Sequence, residues 1–93
     1  MPRDIVHEPD SRRFVVEVEG QAAYLVYRDG VDGVYDFAST YVPSALRGRG
    51  IGERIVRHAL DHAREHGWKV IPNCWFVRDF IERNPEYEEL VGG

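Results

Sequence analysis

The sequence predicts a mixed α/β domain: a three-stranded antiparallel meander, a crossover helix, a strand parallel to the third, and two C-terminal helices. Three observations lead there. Up to Val42 the chain holds short β-branched and aromatic runs separated by turns that contain glycine. From Ile51 onward the apolar spacing changes to threes and fours. Between the two lies Arg47-Gly48-Arg49-Gly50-Ile51-Gly52, a glycine loop at a strand end and a helix start.

The first strand runs from Arg13 to Val18 and is closed by a turn at Glu19-Gly20-Gln21. A second spans Ala22 to Tyr27, and a third, after Asp32-Gly33, spans Val34 to Val42. Pro43 ends it, because proline brings no N–H to a ladder. Ile51, Ile55, Val56, Ala59, Leu60 and Ala63 then mark one face of a helix that Gly67 stops. Trp68 to Ile71 is a short strand, parallel to the third as a crossover requires. After a loop through Asn73-Cys74-Trp75, Phe76, Val77, Phe80 and Ile81 give another helix. Asn84 as N-cap, Pro85 at N1 and Glu86 and Glu88 in the first turn begin the last short one.

With 93 residues the chain has room for one core, so a single domain over 1–93, with its core at about 5–91, is expected. A balance of 43% hydrophobic and 30% charged residues is that of a globular domain. The lone Cys74 excludes an internal disulfide framework and a cysteine-rich zinc module. No apolar stretch reaches membrane-spanning length and Met1 to Asp10 holds no hydrophobic signal segment, so a soluble, cytoplasmic protein without membrane partners is expected. A net charge of −4 argues against a domain that coats nucleic-acid backbone.

The glycine loop is the most informative stretch. Gly48, Gly50 and Gly52 permit positive φ and close backbone approach, and the first amides of a following helix point outward unpaired. A phosphate or diphosphate is the ligand that such a loop accepts most readily. Arg47 and Arg49 oppose the helix dipole, an arrangement that a bound anion reverses. Two familiar anion loops are excluded. Gly52 is followed by Glu53 and Arg54 rather than Lys and Ser/Thr, and the G-x-G-x-G spacing is not the dinucleotide G-x-G-x-x-G.

Val42 followed by Arg47-Gly48-Arg49-Gly50-Ile51-Gly52 resembles the R-x-x-G-x-G acyl-coenzyme A motif of the GNAT superfamily of N-acetyltransferases. More narrowly, R-G-R-G-I-G-E from Arg47, W-K-V-I-P-x-C from Trp68 and F-V-R-D-F-I-x-R-x-P-E-Y from Phe76 to Tyr87 resemble a compact GNAT-like subgroup. The resemblance implies that the third and fourth strands splay apart. It implies that acetyl-CoA, the co-substrate, lays its pantetheine arm along Tyr41 and Val42 and its pyrophosphate on Arg47, Gly48, Arg49, Gly50, Ile51 and Gly52. The implied reaction is attack of an amine acceptor on the thioester, with a backbone amide near Tyr41 or Val42 holding the oxyanion.

Cys74 stands where the subgroup keeps a cysteine near the thioester, as proton acceptor, transient acyl carrier or simple pocket lining. The subgroup's His-Thr and His-Pro-Glu-Tyr are here Ser39-Thr40 and Asn84-Pro85-Glu86-Tyr87, so no histidine base is available at either place. His58, His62 and His66 recur every fourth residue, but no third ligand accompanies them, and a border of the apolar stripe accounts for them better than a metal. Two other classes stay open: an acyl-CoA-binding module without turnover, and a nucleic-acid-binding module using Arg47, Arg49, Arg54, Arg57 and Arg64. A monomer or weak homodimer is expected.

Overall fold

In the computed structural model, five strands form one sheet in the order β1-β2-β3-β4-β5. They are β1 (Val6–Glu8), β2 (Arg13–Val18), β3 (Gln21–Asp29), β4 (Val34–Tyr41) and β5 (Lys69–Ile71). Helix α1 (Ile51–Glu65) connects β4 to β5, and α2 (Trp75–Arg83) follows β5. The structure describes residues 5–92; residues 1–4 and 93 of the expected domain span lie outside it.

The meander is antiparallel, and β5 lies parallel to β4 as the crossover demands. Its first turn has two residues: Val18 pairs with Gln21, and Glu19 and Gly20 between them have φ of 53° and 76°. That double left-handed turn matches the natural twist of a hairpin. Alternation along β2 and β3 sends Phe14, Val16, Ala23, Leu25 and Tyr27 to the face that α1 covers. All six apolar residues of the helical stripe are buried beneath it. The helix ends as its glycine indicates. Gly67 has φ 71°, Gly67 N–H donates to Arg64 O and Trp68 N–H to Ala63 O, the paired bonds of a Schellman stop.

Three features differ from the sequence reading. β1 is an additional edge strand whose three residues pair with β2 from Val6↔Val15 to Glu8↔Arg13. It is too short for a period to show. The final segment Pro85–Leu90 is a 3-10 turn rather than an α-helix, and Asn84 does not cap it: its amide donates back to Phe80 O at 2.9 Å. Trp75 is not in a loop but is the first residue of α2. Tyr87 and Leu90 nevertheless dock into the core from that last turn. Among the described residues no helix is long and apolar enough to cross a membrane.

Candidate active site

β4 and β5 stay together for three register pairs, Val34↔Lys69, Tyr35↔Val70 and Asp36↔Ile71. Pro72 follows and cannot extend the ladder. One last link remains, from Cys74 N–H to Phe37 O at 3.0 Å. At the same level β4 carries an extra residue. Val26 pairs with Ser39 and Tyr27 with Phe37, so Ala38 bulges and bends the strand. Beyond it β4 follows β3, while the chain leaving β5 turns into α2. The walls part, and a cleft of about 710 Å³ lies between them.

Thr40, Tyr41 and Val42 line the β4 wall, and Cys74, Trp75 and Phe76 the α2 wall. The loop closes one end. A 3-10 turn over Ser44–Leu46, anchored by the fully buried Leu46, sets its start. Arg47 N–H donates to Ser44 O, and Arg47 Nε to Val42 O at 3.0 Å, which lays that side chain across the loop. Gly48 and Gly50 have φ of 84° and 74°, conformations that L-residues adopt only at a cost. Gly50 is the N-cap of α1 and offers no side-chain cap. From Gly48 through Glu53, no backbone N–H has an acceptor among the described residues; the next bond is Arg54 N–H to Gly50 O. Five of those six residues, all but Arg49, line the cleft, and the positive pole of α1 lies behind them.

Gly52 lines the cleft without the positive φ of Gly48 and Gly50. It is helical with ordinary φ, and its missing side chain admits a neighbour. A Cβ there would lie 3.0 Å from Phe76 Cζ and 3.4 Å from Val42 Cγ2, so only glycine lets α1 meet both walls this closely.

The structure brings Tyr41, Val42, Arg47, Gly48, Gly50, Ile51, Gly52 and Cys74 together at this one cleft. Arg49 does not line it. Its guanidinium grips Glu19 in the β2–β3 turn, Nη1 to Oε2 at 2.9 Å and Nη2 to Oε1 at 3.5 Å. That hydrogen-bonded pair holds the Glu19 carboxyl below its usual range and the guanidinium above its own. Cys74 is buried at the start of α2, with Sγ 3.6 Å from Thr40 Oγ1. Thr40, Leu46, Glu53, Trp75 and Phe76 complete the lining. Thr40 is out of step with Phe37 by strict alternation and pairs with the buried Leu25 only because of the bulge at Ala38, so the sequence held no signal for it, whereas Glu53 ends the R-G-R-G-I-G-E run. Glu53 Oε2 sits 3.1 Å from Arg83, which also grips Asp79 and so ties α1 to α2.

The histidines lie elsewhere. His7 of β1 packs at 4.5 Å on both Phe14 and His62, His62 stacks on His66 at 3.9 Å, and His7 Nε2 lies 2.6 Å from Tyr27 OH. Burial, then the nearby charges of His66, His7 and His58, pushes the His62 imidazole down to about 4. Burial likewise lowers His7 and raises the Tyr27 phenol. Among the described residues no group of three or more His, Cys, Asp or Glu is arranged to hold a metal ion.

The sequence pattern that defines the GCN5-related N-acetyl-transferases matches residues 13–90. The chain belongs to that family. Within it, the chain is 33% identical to Protein NATD1 of Homo sapiens over 86 residues, covering 90% of this chain and 76% of that protein. The Gallus gallus protein of the same name is 33% identical over 86 residues, with 78% of its length covered. The solution structure of a GCN5-like protein from Staphylococcus aureus superposes with a TM-score of 0.75 at 26% identity, covering 97% of this chain and 88% of that one. Over a shorter 34-residue stretch the chain is 59% identical to glucosamine 6-phosphate N-acetyltransferase 1 of Oryza sativa.

Proposed function

We propose that the protein is an acyl-CoA-dependent N-acetyltransferase that moves an acetyl group from acetyl-CoA to an amine. The observation that carries this reading is the run of unpaired amides from Gly48 to Glu53 at the head of α1, beside a β4 strand whose second edge is open. The diphosphate of the coenzyme satisfies those amides, with Arg47 as the adjacent cation. The pantetheine arm extends along Tyr41 and Val42, adding a strand to the free edge of β4. Its thioester then reaches the level of Thr40 and Cys74, where the cleft narrows to the Cys74–Phe37 link. A β4 amide there polarises the carbonyl, and placement of the two reactants supplies much of the acceleration. Cys74 is the candidate for moving protons at that end.

Pairing of the arginines argues against the nucleic-acid reading. Arg49 is held by Glu19, Arg64 by Glu89 at 3.1 Å, and Arg57 by Tyr87 OH at 3.3 Å and Asn84 at 3.4 Å. They form no free basic stripe. The reading as a binding module without turnover draws support from one observation: no histidine lines the cleft, and its one carboxylate is held by Arg83. The single buried thiol fits a reducing compartment such as the cytoplasm.

A melting curve with acetyl-CoA at 100 times its dissociation constant is expected to show about 2.7 kcal/mol of added stability. Thiol release from acetyl-CoA with a panel of amines then separates transfer from binding alone. Cys74→Ala is expected to keep the thermal shift and lose turnover; a variant that releases thiol at the parental rate removes Cys74 from the chemistry.

A further inference from the structure

We propose that the acceptor is an aromatic amine, which stacks on Trp75 and enters the cleft already uncharged. This rests on the acetyltransferase reading above and specifies its second substrate.

The first observation is Trp75 itself. It opens α2 directly after Cys74, lines the cleft and is 69% exposed. The helix turns Val77, Phe80 and Ile81 to the core, and Trp75 lies off that face. Among the described residues its one aromatic neighbour is Phe76, in a T-shaped contact at 5.8 Å, so most of the indole surface stays uncovered. On the opposite wall Tyr41 is 45% exposed. Tyr41 packs on Tyr24 at 5.4 Å, so the flat apolar surface offered to a flat apolar ligand is that of Trp75.

The second observation is the charge around the thioester end. Thr40, Tyr41, Val42, Cys74, Trp75 and Phe76 are all the side chains that the two walls supply there, and none is an acid or an imidazole. Among the described residues Glu53 is the one carboxylate of the lining, at the loop end and held by Arg83. All four histidines lie outside the cleft. An alkyl ammonium ion would leave water here without a counter-ion. Its proton would also have no carboxylate or imidazole to receive it before attack. An aromatic amine avoids both costs, because delocalisation of its lone pair into the ring leaves it neutral at pH 7.

The chemistry then closes without a general base acting first. The neutral nitrogen attacks the acetyl carbonyl carbon and forms the N–C bond. The C–S bond breaks and its electron pair leaves with the coenzyme sulfur. The proton lost by the nitrogen is the one gained by that sulfur, and the Cys74 thiol, sharing its hydrogen with Thr40, is placed to give one and take the other. The products are the N-acetylated aromatic amine and free CoA.

Aniline and cyclohexylamine make the test, being rings of equal size that are neutral and cationic at pH 7; spermidine is the polycationic control. Thiol release from acetyl-CoA is followed with each, alongside the thermal shift by acetyl-CoA alone. Aniline is expected to exceed cyclohexylamine in kcat/KM by about tenfold or more, and Trp75→Ala to cost aniline about tenfold, the scale of one lost aromatic stack. Trp75→Phe is expected to restore most of that loss, each variant being assayed at acetyl-CoA concentrations that saturate its own thermal shift. Preference for cyclohexylamine or spermidine, or an aniline rate indifferent to Trp75→Ala, overturns the inference while leaving acetyl transfer intact. Absence of the acetyl-CoA shift, or a shift with no thiol release from any amine, overturns the acetyltransferase reading and the inference with it.

Discussion

Acidification isolates the histidine cluster from the rest of the fold. His62 is half-buried against His7, Phe14, His66 and Trp68, and its imidazole is pushed from 6.5 down to about 4. A base whose folded pKa is depressed binds fewer protons folded than unfolded. Its contribution is therefore complete above pH 6.5, falls as pH drops below that value, and is exhausted below about 4. Between pH 7 and pH 5 those two values give a loss of about 2 kcal/mol, and solvent screening of a half-buried ring reduces it to about 1 kcal/mol. For a domain of this size that corresponds to a fall of about 4–8 °C in Tm. Urea denaturation of the parent and of His62→Gln at both pH values checks it. The variant loses packing at either pH, so the decisive quantity is each protein's own difference between pH 7 and pH 5. The parent is expected to lose about 1 kcal/mol more than the variant across that interval. Equal losses, or a parent that gains stability on acidification, refute the account of His62 as a ring held neutral by burial and its neighbours.

Three other outcomes follow from the geometry. Gly50→Ala places a Cβ in open space but at φ 74°, so denaturation should show a loss of about 1–2 kcal/mol from backbone strain together with weaker acetyl-CoA binding. Arg49→Ala should leave the acetyl-CoA dissociation constant within about twofold by titration calorimetry, because its guanidinium serves Glu19 rather than the cleft. Tyr87→Phe removes a buried hydroxyl that donates to Asp61 at 2.7 Å and accepts from Arg57 at 3.3 Å, and should cost about 1–2 kcal/mol in urea denaturation without altering acetyl-CoA affinity.

The parts of the fold that were legible beforehand share one property: their signal is local and repeated. The stripe from Ile51 to Ala63 reports a helix several times over, and Gly67 marks its end through a backbone conformation that few other residues adopt. Where a signal rests on one residue it can mislead. Asn84 before Pro85 has the composition of an N-cap, yet its amide is drawn back to Phe80 O, and the next segment tightens into a 3-10 turn. β1 shows the opposite failure. Val6-His7-Glu8 has no pattern of its own and becomes a strand because β2 offers an edge and His62 a ring to pack against.

The candidate site divides in the same way. Alternating glycines and arginines between a strand and a helix mark the loop on which the proposed anion site rests, since conformational freedom belongs to the residues themselves. Which arginine faces the cleft depends on distant partners. Glu19, thirty residues earlier, claims Arg49, while Val42 O directs Arg47 across the loop. Gly52 looks like its two companions in the sequence, and only the approach of Phe76 and Val42 shows that its missing side chain also serves packing.

From its residues alone, then, this protein's class of fold, its glycine loop between a strand and a helix, and the position of its one thiol could be read, because each follows from local conformational preference and repeated pattern. The parting of β4 from β5, the exposed indole of Trp75 and, among the described residues, the lack of an acid in the cleft wall around Cys74 were decided only in three dimensions. They arise where a bulge at Ala38, a proline after β5 and a helix from another part of the chain meet, and no local stretch contains all three.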